Sequence, residues 1–139
     1  MDTSLLIRSM LESCLRQELP AMSDANVRQQ AEDRYYAALD LMGDGKLEEA
    51  VTAYRESLAI DPEFTEAMHG LARALQDLQR YDEAIAVAQR ITELDPDDVL
   101  ARTSLSVLYQ KKGMIPEAEA EGAKARVLGW KQQLKKSRS

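Results

Sequence analysis

Shifted against itself by 34 residues, the chain falls into register with its own sequence. Ala50, Ala84 and Ala118 coincide, as do Pro62 and Pro96, each preceded by aspartate. Leu41, Leu75 and Tyr109 align as well, together with the small residues Ala38, Ala72 and Ser106. A period of this length confines the fold to an array in which each unit buries its apolar side against its neighbours. Three contiguous units follow: 31–64, 65–98 and 99–132.

Apolar residues within a unit recur at helical spacing, as in Ala67, Leu71, Ala74, Leu75 and Leu78, then Ala84, Ile85, Ala88 and Ile91. Breaks fall at Gly43-Asp44-Gly45, at Gln79-Arg80 and at Gly113, with Pro116 near the first position of the next helix. Asp-Pro closes units one and two. The spacing predicts helices over 24–42, 47–59, 64–78, 81–94, 98–112 and 116–128, and no segment alternates like a strand. Each unit is therefore a helical pair. The recurring alanines mark crossings, because axes about 8 to 10 Å apart admit Ala or Ser but not Leu. The expected class is all-α, a short solenoid of three helix-turn-helix units.

This pattern resembles the tetratricopeptide repeat over residues 31–132. The likeness rests on unit position 20 (Ala50, Ala84, Ala118), position 8 (Ala38, Ala72, Ser106) and position 32 (Pro62, Pro96). It departs from the family at position 4, where tryptophan gives way to Arg34, Met68 and Arg102. It departs again at position 24, where only Tyr54 is aromatic and Ala88 and Gly122 follow, leaving space for Tyr81, Tyr109 or an added segment. Trp130 stands where the third proline is expected, so the last helix either runs on or turns at Gly129 into a short capping helix.

The resemblance implies a concave surface built from the first helix of each unit, lined at positions 2, 5, 9, 12 and 13. On this chain the expected partner-binding residues are Tyr35, Leu39 and Met42, then His69, Arg73 and Gln76, then Thr103, Val107 and Gln110. Glu32, Gly43, Glu66, Asp77, Leu100 and Lys111 fill the remaining positions. Tyr35, Leu39, Met42 and Val107 are apolar where the family does not need core residues, which suits a groove that buries a peptide. The family's carboxylate clamp for heat-shock chaperone tails uses Lys, Asn and Arg. Its places here hold Tyr35, Leu39, Gly70, Leu100 and Ser104, so the implied ligand is instead an amphipathic helix or extended segment with apolar anchors and an acidic group for Arg73.

Two flanks complete the chain. Residues 1–22 form the first, where Leu6, Ile7, Met10, Leu11, Cys14 and Leu15 share one face of an amphipathic helix over 3–19 that Pro20 ends. That face requires a partner: unit one, the groove, or a second copy. Ser23 is placed to cap the helix entering the solenoid domain, 23–132. At the other end Trp130 and Leu134 are expected to seal unit three, and 133–139 reads as a basic, solvated tail.

Charge is segregated. Residues 1–98 carry 9 Lys/Arg against 21 Asp/Glu, net -12, whereas 99–139 carry 9 against 3, net +6. Seven scattered aromatics and the lack of a basic stripe argue against nucleic acid. One cysteine excludes a disulfide framework, and with a single histidine there is no metal-ligand cluster. The acidic pairs Glu48-Glu49, Asp82-Glu83 and Asp97-Asp98 sit at helix starts, where the dipole favours them. No cofactor motif is present, and the apolar runs are too short to span a bilayer. A signal pattern is also missing at the amino terminus, so a cytoplasmic location is expected. The expected function is a non-catalytic scaffold or adaptor that holds a segment of another protein. Two alternatives are a dimerising chaperone resembling the three-repeat type III secretion class and a scaffold assembling head to tail through its opposed charges.

Overall fold

The computed structural model describes residues 24–138, and the amphipathic stretch at 3–19 lies outside them. Six helices follow in order: α1 (Asp24–Gly43), α2 (Leu47–Ile60), α3 (Thr65–Asp77), α4 (Tyr81–Leu94), α5 (Val99–Lys111) and α6 (Ile115–Arg138). Each packs on the next, and α1 also touches α3, so the first helices of successive units lie side by side.

Within each unit the helical pair is joined by the same turn, and its chemistry is set at unit position 15. Gly45, Gln79 and Gly113 there have φ of 77°, 62° and 79°. In each turn the amide at position 15 bonds a carbonyl three residues back, and the next amide bonds one five back: Lys46 N to Leu41 O, Arg80 N to Leu75 O and Met114 N to Tyr109 O. This paired closure satisfies carbonyls that the helix end leaves orphaned and requires left-handed backbone at one residue. Glycine meets that requirement twice, and Gln79 meets it against the preference of an L side chain.

Between units the Asp-Pro pairs work differently. Asp61 and Asp95 each accept the amide two residues ahead on their side chains, Glu63 N at 3.2 Å and Asp97 N at 3.1 Å. Their carboxylates shape the turn while proline prevents the preceding helix from continuing.

The core is a seam of small residues with large ones keyed between them. Ala38, Ala50, Ala67, Ala74, Ala84, Ala88 and Ala101 are fully buried, and Leu71, Leu75, Leu105 and Leu108 fill the space around them. Tyr54 is the largest wholly buried side chain, and its ring lies directly over Gly70 of the next unit. A Cβ on Gly70 would collide with that ring. The aromatic at position 24 therefore passes between units only because position 6 of the following unit has no side chain. Ser57 is buried and donates to the Ala31 carbonyl at 2.7 Å, tying α2 to α1, and Ser106 donates to Ala118 at 2.8 Å in unit three. At position 4, Met68 packs with Ile91 and Ala101, while Arg34 pairs with Glu56 and Arg102 with Glu121. Two of the three missing tryptophans are thus replaced by an ion pair within the unit.

Of the two courses open to the terminal segment, the helix runs on past Gly129, and the expected short capping helix is not separate. Ile115–Arg138 is one helix without a turn at Gly129, and the basic residues over 133–138 are exposed and helical. Trp130 and Leu134 do not seal unit three; they are 70% and 52% exposed. Ala118 and Ala125, seven residues apart, are the buried side of α6, and Gln132, seven further on, donates to the Asp97 carbonyl at 3.1 Å. The small-residue seam thus sets the rotation of α6 and turns its bulkier apolar residues outward.

Two stability predictions follow from these contacts. Gly70→Ala gains about 1 kcal/mol of helix propensity but overpacks a filled site at a cost of about 1–3 kcal/mol, so a net loss is expected. In a Tyr54→Leu background the same change becomes neutral or stabilising; urea denaturation of the four proteins measures the coupling. Gln79→Gly removes a left-handed Cβ clash of about 1–2 kcal/mol and adds about 0.5–1 kcal/mol of unfolded-state freedom, for a net gain on the order of 0.5 kcal/mol. A higher thermal midpoint for Gln79→Gly is the expected result, and a lower one contradicts the turn chemistry.

Candidate partner-binding groove

The first helices, α1, α3 and α5, carry all nine residues expected to line the groove, and the structure sorts these residues into three groups. The first is drawn into the core. Tyr35 is half-buried in an aromatic cluster, its ring centroid 5.3 Å from Phe64 in an edge-on arrangement, 6.1 Å from Tyr54 and 5.5 Å from Tyr36. Met42 also packs against the central core. These two residues therefore present an edge to the surface rather than a whole side chain. Burial, and then the neighbouring Tyr35 hydroxyl, pushes the Tyr54 phenol above its ordinary value.

The second group already has polar partners within the chain. His69 Nε2 donates to Asp98 Oδ2 at 2.9 Å, and Asp98 Oδ1 accepts the Ala101 amide at 3.0 Å. Asp98 is thus the N-cap of α5 and the anchor of a histidine on α3, so one carboxylate joins two units. His69 is a link between units, and its ring is mostly covered. Thr103 donates to the Val99 carbonyl of its own helix, and Arg73 pairs with Asp77 one turn away at 3.4 Å. Arg73 keeps most of its surface in water, so its partner costs it little freedom to meet an incoming acid.

The third group is available. Leu39 is 41% exposed on α1, Gln110 is exposed on α5, and Gln76 and Val107 are half-exposed on α3 and α5. Leu100, at another expected lining position, is 58% exposed. These positions therefore offer isolated apolar side chains among amides and one accessible guanidinium. Among the described residues no group of three or more His, Cys, Asp or Glu is placed to hold a metal ion, and no helix is long and apolar enough to cross a membrane.

An edge away from these side chains is laced with ion pairs that sequence reasoning assigned only to helix starts. Arg80 reaches Glu48 of the preceding unit at 3.3 Å and also binds Glu83, which in turn accepts from Arg55 at 3.2 Å. The hydrogen bond from Arg80 holds the Glu83 carboxyl below its ordinary value. Lys112 meets Asp82 at the next boundary. Position 18 of one unit thus pairs with a cation at position 14 or 16 of the next. The 34-residue register carried that signal, because Glu48 and Asp82 align.

The sequence profile of the tetratricopeptide repeat matches residues 41–108. A TPR repeat-containing protein, YpiA of Bacillus subtilis (strain 168), is 31% identical over 84 residues, which is 60% of this chain and 20% of that protein. The chain thus spans about a fifth of that relative's length. Among solved structures, the second TPR of Spaghetti (RPAP3) bound to HSP90 peptide SRMEEVD superposes with a TM-score of 0.69 at 23% identity, covering 73% of this chain and 94% of that one. MamA superposes at 0.72 with 21% identity over 74% and 60% of the two chains. The type III secretion translocator chaperone SycD of Yersinia enterocolitica does so at 0.69 with 23% identity over 72% and 76%. The matched profile, these likenesses and three alanine-seamed helical pairs identify the chain as a tetratricopeptide-repeat protein.

Proposed function

We propose that the chain is a non-catalytic scaffold or adaptor, working in the cytoplasm, whose inner surface holds an amphipathic helix or extended peptide of another protein. The observation that carries this reading is the placement of Leu39, Leu100 and Val107 on first helices, at positions the core does not need to fill. Exposed aliphatic side chains on a rigid, preformed surface gain burial when a peptide docks, at about 25 cal/mol per Å² of apolar area removed from water. Arg73 supplies a charge that fixes the peptide's direction.

The RPAP3 repeats share the fold and are bound to a peptide ending in acidic residues, SRMEEVD. The residues here point to a different ligand. Where a carboxylate clamp needs cations and amides, this chain has Tyr35, Leu39, Gly70, Leu100 and Ser104. Apolar anchoring therefore leads, with charge secondary. A second reading, a small dimerising secretion chaperone, draws on the likeness to SycD over three-quarters of that protein. It differs from the first in requiring a dimer through residues 1–22.

Leu39→Glu with Val107→Glu is expected to lower affinity for a bound partner peptide by at least about tenfold, since two charges then face an apolar ligand. Both positions retain water contact, so the helical circular dichroism and thermal midpoint should stay near those of the wild type. Peptide-array capture with titration of the best binder tests this, and unchanged affinity in the double variant would refute the groove assignment. Light-scattering mass separates the second reading: a monomer at all accessible concentrations removes the dimeric chaperone.

A further inference from the structure

The last four turns of α6 carry a feature that the groove does not use. Val127, Trp130 and Leu134 stand at spacings of three and four, so they share one face of the helix. All three are exposed, and at 70% Trp130 is the most exposed large apolar side chain among the described residues. Ala118, Ala125 and Gln132 mark the opposite side, the one that meets the solenoid. The helix is therefore apolar on two sides for two reasons. One side is lined with small residues and packs inward, whereas the other is bulky and faces water.

Cations border the outward stripe on both flanks. Lys131 and Arg138 follow Val127 and Leu134 by one turn, and Arg126 precedes Trp130 by one turn on the other side. Between Gly122 and Arg138 there are six Lys/Arg and no acidic residue, Glu121 being the last carboxylate in the chain. Lys135, Lys136 and Arg138 also complement the helix dipole, which explains their presence in the final turn but not a tryptophan and a leucine beside them. Every residue from Trp130 to Arg138 is exposed. Val127 and Leu134 also border shallow hollows, the first with Pro96 and Arg102 and the second with Asp97, Lys131, Lys135 and Arg138, so the stripe of this helical arm is presented beside the turn that closes unit two.

We propose that this arm is a peripheral docking element for an anionic lipid surface. Val127, Trp130 and Leu134 enter the headgroup boundary while Arg126, Lys131, Lys135 and Arg138 meet lipid phosphates and carboxylates. The long basic side chains lay their stems along the apolar stripe and keep their charges at the headgroups. The surplus of acid lies in residues 1–98, whereas the arm's own cations stand at the surface it presents, and charges more than about 8 Å away are screened at physiological salt. The arm lies on the membrane and does not cross it.

Trp130 is the only tryptophan in the chain and so reports on its own surroundings without a label. The full chain is titrated with phosphatidylcholine vesicles, with and without phosphatidylserine, and read by Trp130 emission and co-sedimentation. The expected result is a blue shift and pelleting with the anionic vesicles only, weakening as salt rises. Lys131→Glu with Lys135→Glu should lower partitioning at least on the order of tenfold, as should Leu134→Glu, while Leu39→Glu with Val107→Glu leaves it unchanged. No shift on anionic vesicles at low salt overturns the proposal, as does equal binding to neutral vesicles or binding that survives the charge reversal. A blue shift that appears with protein concentration alone, accompanied by doubled mass, assigns the stripe to a second copy instead. Emission already blue-shifted in the dilute free chain assigns it to the chain's own residues outside 24–138; either result also overturns the lipid assignment.

Discussion

The close approach of helices at positions without bulk is the constraint on which the rest of this structure depends. Ala38, Ala50, Ala84, Ala88 and Ala118 let neighbouring axes come near enough for Leu71, Leu75, Leu105 and Leu108 to interlock around them. The most demanding case is Tyr54 over Gly70, where an entire phenol ring passes between units because one residue has only a hydrogen for a side chain. Each crossing sets the angle at which the next pair of helices leaves. The orientation of α1, α3 and α5, and so the line of residues on their free faces, follows from these contacts rather than from anything on the surface itself.

The polar contacts repeat with the same register and reinforce that geometry. Asp98 caps α5 and holds His69, Ser57 and Ser106 each close a helix pair, and Arg80 and Lys112 span unit boundaries. Exposed ion pairs contribute little singly, roughly 0–1 kcal/mol. Their value lies in choosing between registers, because an opposed charge rewards one stacking of units over a slipped one. The covered pair of His69 and Asp98 does the same at the boundary between units two and three, and in doing so it removes the histidine from the groove.

The two surfaces of the molecule differ in their side-chain chemistry. The inner faces of α1, α3 and α5 present scattered anchors and amides, which fit a peptide in the proposed scaffold role. The arm of α6 presents an apolar stripe with basic borders. The proposed groove and the proposed docking arm are compatible on one small solenoid because they draw on different helices.

Much of this was legible in the residues alone. Period-34 alanines, prolines and helical apolar spacing determined the three units, the six helices and their turns, because helix formation and close crossing are local consequences of residue size and spacing. Gly45 and Gly113 marked their turns for the same reason; Gln79, which adopts the same backbone, was legible only through its alignment with them. The tertiary structure decided which side chains were free. Tyr35 and Met42 went to the core and His69 to Asp98, since burial and pairing depend on neighbours brought together from other units. It also decided the fate of Trp130 and Leu134, which the sequence placed as a seal. A helix has one rotation about its axis, Ala118 and Ala125 claimed it for the interior, and the larger residues were turned to the outside.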